Sequence, residues 1–318
     1  MDYCFLKFNL FLVIDNIEEM AKSFRHNEPR TPARLLTNPE YEIPWRPVVW
    51  SKPTRDSMLR ELKTFELKTS EVRSLKILLH GPIGAGKSSF INSVSTTLQG
   101  RINVVALADN IADTSFTTKL KIHRLKTEEP GRFYPFVFTD IMGLEERYNK
   151  GVHTDDVLSV LRGEVKNGYF FNPHCPVAEG NPHFKDDPSF KDKVHCLVSV
   201  LPANIISLTS EEVMKKMRCV HKMANDLGIP EVIIMSKVDL ACPLVANNPR
   251  KIYTSKKIKD KLEECSNRSG VPLHCIFPVK NYSEETETDL DKDILILKAM
   301  THIIRSASYY VEHQDYLH

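Results

Sequence analysis

Residues 75–94, LKILLHGPIGAGKSSFINSV, run from an apolar stretch through a glycine-rich turn into a lysine. Residues 75–79 read as a buried strand, and apolar side chains at Phe90, Ile91, Val94 and Leu98 follow with helical spacing. Between the two, Gly81-x-x-x-x-Gly86-Lys87-Ser88 fits every fixed position of the phosphate-binding loop G-x-x-x-x-G-K-[ST]. Glycines let successive backbone N–H groups, here those of Gly84, Ala85, Gly86, Lys87, Ser88 and Ser89, converge on phosphate oxygens without a Cβ in the way. The following helix adds the positive end of its dipole. Lys87 supplies a point charge for the outer phosphates, and the Ser88 hydroxyl is a ligand for Mg²⁺. The flanks make this a nucleotide-binding loop rather than a plain strand-turn-helix.

Further strands are expected at residues 119–125, which alternate polar and apolar, and at 133–139, 196–201, 232–235 and 274–279. Helices are expected at 59–65, after a capping box Thr209-x-x-Glu212, at 255–269 and at 291–313. Short all-apolar strands alternating with helices predict an α/β fold. The expected form is a P-loop NTPase with a mainly parallel sheet, helices on both faces and a Ras-like GTPase architecture. Residues 1–56 read as an N-terminal segment and a proline-rich, extended lead-in. Residues 57–318 read as the GTPase-like domain, with an insertion rich in Pro, Asn and Asp at about 144–192.

The later motifs bear on the choice of nucleotide. Asp140 ends the strand at 133–139, and Gly143 follows in D-x-x-G spacing. An acid there holds Mg²⁺ through water, and the glycine N–H senses a γ-phosphate. Further on, Ser236-Lys237-Val238-Asp239 ends another strand and approaches the guanine motif [NT]-K-x-D. A carboxylate at Asp239 accepts guanine N1–H and the exocyclic amine together, whereas adenine would point a lone pair at it. The stem of Lys237 can lie over the base. Ser236 keeps a hydroxyl where Asn or Thr is usual, a shorter brace for the phosphate loop. Thr114, Thr117 and Thr118 all qualify as the γ-phosphate and Mg²⁺ sensor, with Thr117 favoured. The position after D-x-x-G, a glutamine in Ras-type enzymes, is Leu144, which cannot orient an attacking water. Hydrolysis is therefore expected to be slow, or to need a group from elsewhere. Two other readings stand beside a GTP-binding switch: a nucleotide-stabilised scaffold without turnover, and a P-loop ATPase or kinase, which Lys237 and Asp239 disfavour.

Composition narrows the class. The chain has 318 residues, 42% apolar and 26% charged, and a net charge of only +2, so a dedicated nucleic-acid binder is not expected. The basic stretch at 251–261 reads as a solvated helix face. Seven cysteines without a C-x-x-C pair suit a reducing compartment. The dipeptides His174-Cys175, His195-Cys196 and His274-Cys275 are poor chelates, since strand neighbours point to opposite faces. The apolar run at 8–14 is too short to span a bilayer and is broken by Asn9; a signal peptide and a membrane span are not expected. A cytosolic protein is the expectation.

The chain resembles the interferon-induced protein 44 and 44-like family. The likeness runs from Pro44-Trp-Arg through GPIGAGKSSFINSV, FYPFVFTDIMGL, YFFNP, KDKVHCLVSV and SKVDL to NYSEETETDLDKDILILKAM, over about residues 44–305. The FNP segment, the VHC strand and the NYS to LDKDILIL tail are the more specific parts. The resemblance implies a cytoplasmic GTP-binding protein of innate antiviral responses, with GTP and Mg²⁺ as ligands and a protein partner still to be identified. Longer members carry a TLDc-type domain first; the leading 43 residues are too few for one, so a short form without that domain is expected.

Overall fold

The computed structural model describes residues 38–69, 71–106, 117–147 and 150–314. The apolar run at 8–14, the lead-in as far as residue 37 and Thr114 lie outside these residues. The larger of the chain's two units is Glu40–His318, and the elements below belong to it.

The larger unit opens on α1 (Lys52–Lys63), which begins earlier than its apolar spacing predicts. Pro53 stands in the first turn, where a missing N–H is harmless, and the Ser51 hydroxyl accepts the Thr54 N–H at 3.3 Å. Next come β1 (Leu75–His80), α2 (Lys87–Gln99), β2 (Lys121–Lys126), β3 (Phe133–Asp140), α3 (Thr154–Leu161) and β4 (Cys196–Pro202). The chain continues through α4 (Glu211–Asp226), β5 (Glu231–Ser236), α5 (Val238–Ala241), α6 (Pro243–Asn247), α7 (Lys256–Ser269), β6 (Ile276–Pro278) and α8 (Leu290–Gln314).

The six strands form one sheet in the order β2-β3-β1-β4-β5-β6, parallel except for the antiparallel pair β2–β3. Helices α1, α2 and α8 pack together on the sheet, and α3, α4 and α7 form a second, separate group. Both groups cover buried strands: Leu75, Ile77, Leu78 and Leu79 of β1 and Val232–Met235 of β5 are sealed from solvent. The register pairs Leu79 with Asp140, His80 with Ser199 and Pro202 with Ser236. The carboxyl ends of β1, β3, β4 and β5 therefore lie side by side at one edge, where such sheets bind ligands. The outer edge of β6 is closed by Arg46, whose guanidinium donates to the carbonyls of Ile276 and Leu273 at 2.8 and 2.9 Å.

Three expectations need correction. The segment at 144–192 is no mere insertion, because Leu144, Val152, Val157, Leu161 and Tyr169 are core residues. Its helical spacing (Val157, Val160, Leu161) is masked in sequence by the surrounding Pro, Asn and Asp. The cap of α4 is Ser210, not Thr209: the Thr209 hydroxyl is bonded to the Ile205 carbonyl, and Ser210 Oγ accepts from Val213 N–H. Only Ile276–Pro278 of the last expected strand is extended, since residues 273–275 form a 3₁₀ turn.

Asp293 of α8 ties three elements together. Its Oδ2 accepts from Arg55 Nε and Nη2 at 3.1 and 3.0 Å, and its Oδ1 from Thr97 and Tyr282 at 2.8 and 2.9 Å. Its side chain is 2% exposed. Asp293→Asn keeps the shape but removes the charge and turns a donor toward donors. Bonds to charged groups contribute about 1.5–3 kcal/mol, so a loss of roughly 2 kcal/mol is expected in denaturant unfolding. An unchanged midpoint would reduce this cluster to a contact of convenience.

Candidate nucleotide site

The site is built at the carboxyl ends of the strands. β1 ends in buried His80, whose imidazole burial and the nearby Lys87 ammonium push down to about 3, so it stays neutral beneath the loop. Gly81 follows at φ 139, and a Cβ there would lie 2.2 Å from the Val200 carbonyl oxygen of β4. Only glycine fits that turn. Gly86 caps α2, and Lys87 begins it. The buried Lys87 ammonium reaches back to the carbonyls of Gly81 and Pro82 at 3.2 and 3.1 Å, across the mouth of the loop.

Ser88 Oγ donates to Asp140 Oδ2 at 2.8 Å. Asp140 is 1% exposed, yet its Oδ1 is buried without a hydrogen-bond partner. A hydroxyl and an unsatisfied carboxylate oxygen side by side are hard oxygen donors, the set Mg²⁺ prefers, so these residues fit that ion. Thr117 is buried and lines one cavity with Ser88, whereas Thr118 is exposed.

On the other side, the Ser236 hydroxyl donates to the Ala85 carbonyl at 2.6 Å. The serine thus braces the phosphate loop directly, and the shorter side chain does not forfeit the contact. Lys237 adopts φ 54, the one non-glycine residue in the left-handed region among those described. That conformation costs of order 1 kcal/mol and turns the chain at once into α5, which brings Asp239 round to the cavity. Strain of this kind collects at binding sites.

Gly84, Ala85, Gly86, Lys87, Ser88, Ser89, Thr117, Lys237 and Asp239 together line one cavity of about 520 Å³. Gly81, Asp140 and Gly143 lie outside its lining, and Asp140 reaches it only through its bond with Ser88. A Cβ on Gly143 would sit 2.7 Å from Ile83 Cγ1 and 2.8 Å from Ile83 N, so the D-x-x-G glycine is pressed against the loop. Leu144 is also held there: its N–H donates to the Gly81 carbonyl at 3.0 Å and its carbonyl accepts from Ile83 at 3.2 Å. It is 1% exposed. The position that carries a mobile glutamine in Ras-type enzymes is here a core residue.

Residues 280–285, between β6 and α8, complete the wall, a role that no local motif marks. Lys280 Nζ lies 3.7 Å from Asp239 Oδ2. Asn281 Nδ2 donates to the Gly86 carbonyl at 3.4 Å, and its buried Oδ1 has no partner. The Tyr282 N–H donates to Ser93 Oγ of α2 at 2.9 Å, which ties this wall to the helix behind the loop. Lys292, drawn down to about 8 by burial and then by Lys280, bonds Glu285 at the rim. The NYS segment was a sequence signal for this wall, but no short-range pattern linked it to a loop so far upstream.

The mainly parallel sheet and the loop with its Lys, Ser and Asp define a P-loop protein with a GTPase-like α/β fold. No protein-family model matches the sequence. Human interferon-induced protein 44 is 33% identical over 258 residues, which are 81% of this chain and 58% of the relative. Human interferon-induced protein 44-like is 31% identical over 265 residues, 83% of this chain and 58% of the relative. Over these matched residues the chain is similar to the interferon-induced protein 44 and 44-like proteins. The mouse interferon-induced protein 44 is 32% identical over 260 residues. The chain spans under two thirds of the length of these relatives. Among solved structures, Toc33 from Arabidopsis thaliana in complex with GDP and Mg²⁺ aligns at a TM-score of 0.44 and 12% identity, covering 80% of this chain and 90% of that one. At that score the sheet order above, not the likeness, defines the fold. No helix among the described residues is long and apolar enough to cross a membrane.

Proposed function

We propose that the chain binds a guanine nucleotide with Mg²⁺, and that turnover at the site is slow. The supporting observation is the convergence of two distant motifs, the loop around Lys87 and the Lys237–Asp239 pair, on one cavity. In this reading the amides of 84–89 and Lys87 hold the phosphates, Lys237 covers the base, and Asp239 accepts from guanine N1–H and its amine. Ser88, Asp140 and Thr117 are the ion's ligands, directly or through water. A bound Mg²⁺ supplies charge neutralisation at the outer phosphate oxygens. Equilibrium titration with GTP against competing ATP tests the assignment, and equal affinities would remove it.

Ser88→Ala should weaken binding more in Mg²⁺ than in EDTA, because it deletes one ion ligand and leaves the phosphate cradle. Equal losses in both buffers would count against a metal role for Ser88.

Leu144 supports a second reading, a nucleotide-stabilised interaction scaffold that needs binding but no turnover. A buried aliphatic side chain bonded to the loop at both backbone atoms cannot place a water on the γ-phosphate. Single-turnover hydrolysis, alone and with cell extract, separates the two: stimulation by extract favours a switch completed by a partner. By the names of its relatives, the setting proposed is an interferon-linked antiviral response, in the cytoplasm and with a protein partner. The domain division proposed is residues 1–56 as segment and lead-in and 57–318 as the nucleotide-binding domain.

A further inference from the structure

Lys280 and Asp239 reach the cavity from different elements, one after β6 and one on α5, with Nζ and Oδ2 3.7 Å apart and side chains 20% and 24% exposed. An ammonium only donates and a carboxylate only accepts. Side by side they present a donor followed by two acceptor atoms. The Watson–Crick edge of guanine offers the complement in the same order: the O6 acceptor, then the N1–H and amine donors. Adenine inverts the first two positions, with an amine facing the lysine and a lone pair facing the carboxylate.

We propose that Lys280 is a second base-reading residue, donating from Nζ to guanine O6 while Asp239 takes N1–H and the amine. The proposal rests on the guanine reading above and names the group that reads the other end of the base edge. The neighbouring lysines are otherwise engaged. Lys87 lies at the phosphate end on the Gly81 and Pro82 carbonyls, and Lys292 is bonded to Glu285. Lys237 turns the chain into α5, and in the guanine reading its stem covers the base. Lys280 alone among them is paired with the carboxylate that faces the base. The ion pair holds the two reading groups beside each other on one wall of the cavity.

Lys280→Met keeps the aliphatic stem and removes the donor. The probes are GTP, 6-thio-GTP, in which sulfur, a weak acceptor, replaces O6, and ATP. A bond from a charged donor corresponds to roughly tenfold or more in affinity, so the parent protein should prefer GTP over 6-thio-GTP by about tenfold. Lys280→Met should lose about that factor for GTP and bind the two analogues alike, while Lys280→Arg, which keeps a donor, should retain the preference. The same GTP-to-6-thio-GTP ratio in parent and Lys280→Met overturns the role of Lys280 and leaves the guanine reading standing. Loss of the ratio in Lys280→Arg as well makes the residue merely structural. A parent protein that takes ATP as readily as GTP overturns both.

Discussion

Lys87→Ala is expected to abolish nucleotide binding at concentrations that saturate the parent protein, with the fold intact. The ammonium is buried and bridges the Gly81 and Pro82 carbonyls across the loop mouth, so it stands where the outer phosphates must arrive. Each bond from a charged donor is worth about 1.5–3 kcal/mol, and in a closed loop no water replaces the charge. Two such bonds amount to at least roughly a hundredfold in affinity. The fold should survive, since the carbonyls lose only bonds that solvent entering the cavity can replace. Calorimetric titration with GTP reads the binding and thermal unfolding reads the fold. Tight binding by a folded Lys87→Ala protein would make the loop structural and leave the site without its centre.

The parts of the site that sequence revealed are those encoded by adjacent residues. A strand, a glycine turn and a helix within residues 75–94 specify the loop, because each conformation has a local cause. Thr117 was separable from Thr118 only through burial, which depends on where the strand after it docks. The wall at 280–285 was not legible: Asn281 meets Gly86 across 195 positions, and no periodicity encodes such a meeting. Ser236 shows the reverse case. Judged by side-chain length it looked a weak brace, yet the register that pairs it with Pro202 of β4 brings its hydroxyl to the Ala85 carbonyl. Composition misled at 144–192, where turn-forming residues surround apolar ones that belong to the core. Leu144 was legible as a missing glutamine, but not as a residue pinned to the loop.

The identity of the base is tested most sharply at Asp239, where a single atom exchange should shift a preference. Asp239→Asn puts an amide where the carboxylate faced two donors. The amide oxygen can accept from N1–H, but its NH₂ then confronts the guanine amine, donor against donor. Loss of the charged pair corresponds to about 1.5–3 kcal/mol, so GTP affinity should fall roughly tenfold to a hundredfold. Xanthine carries a carbonyl where guanine carries the amine, and the asparagine NH₂ can donate to it. Lys280, 3.7 Å from the altered group, still faces O6, which xanthine and guanine share, so its contribution cancels in the comparison. The variant should therefore shift toward XTP relative to GTP, while ATP stays poor because its amine still faces Lys280. Fluorescence competition among the three nucleotides, on parent and variant, measures the ratio directly. If the GTP-to-XTP ratio is the same in both proteins, residues 236–239 are only the end of a strand, and the guanine assignment falls with the reading of Lys280 that depends on it.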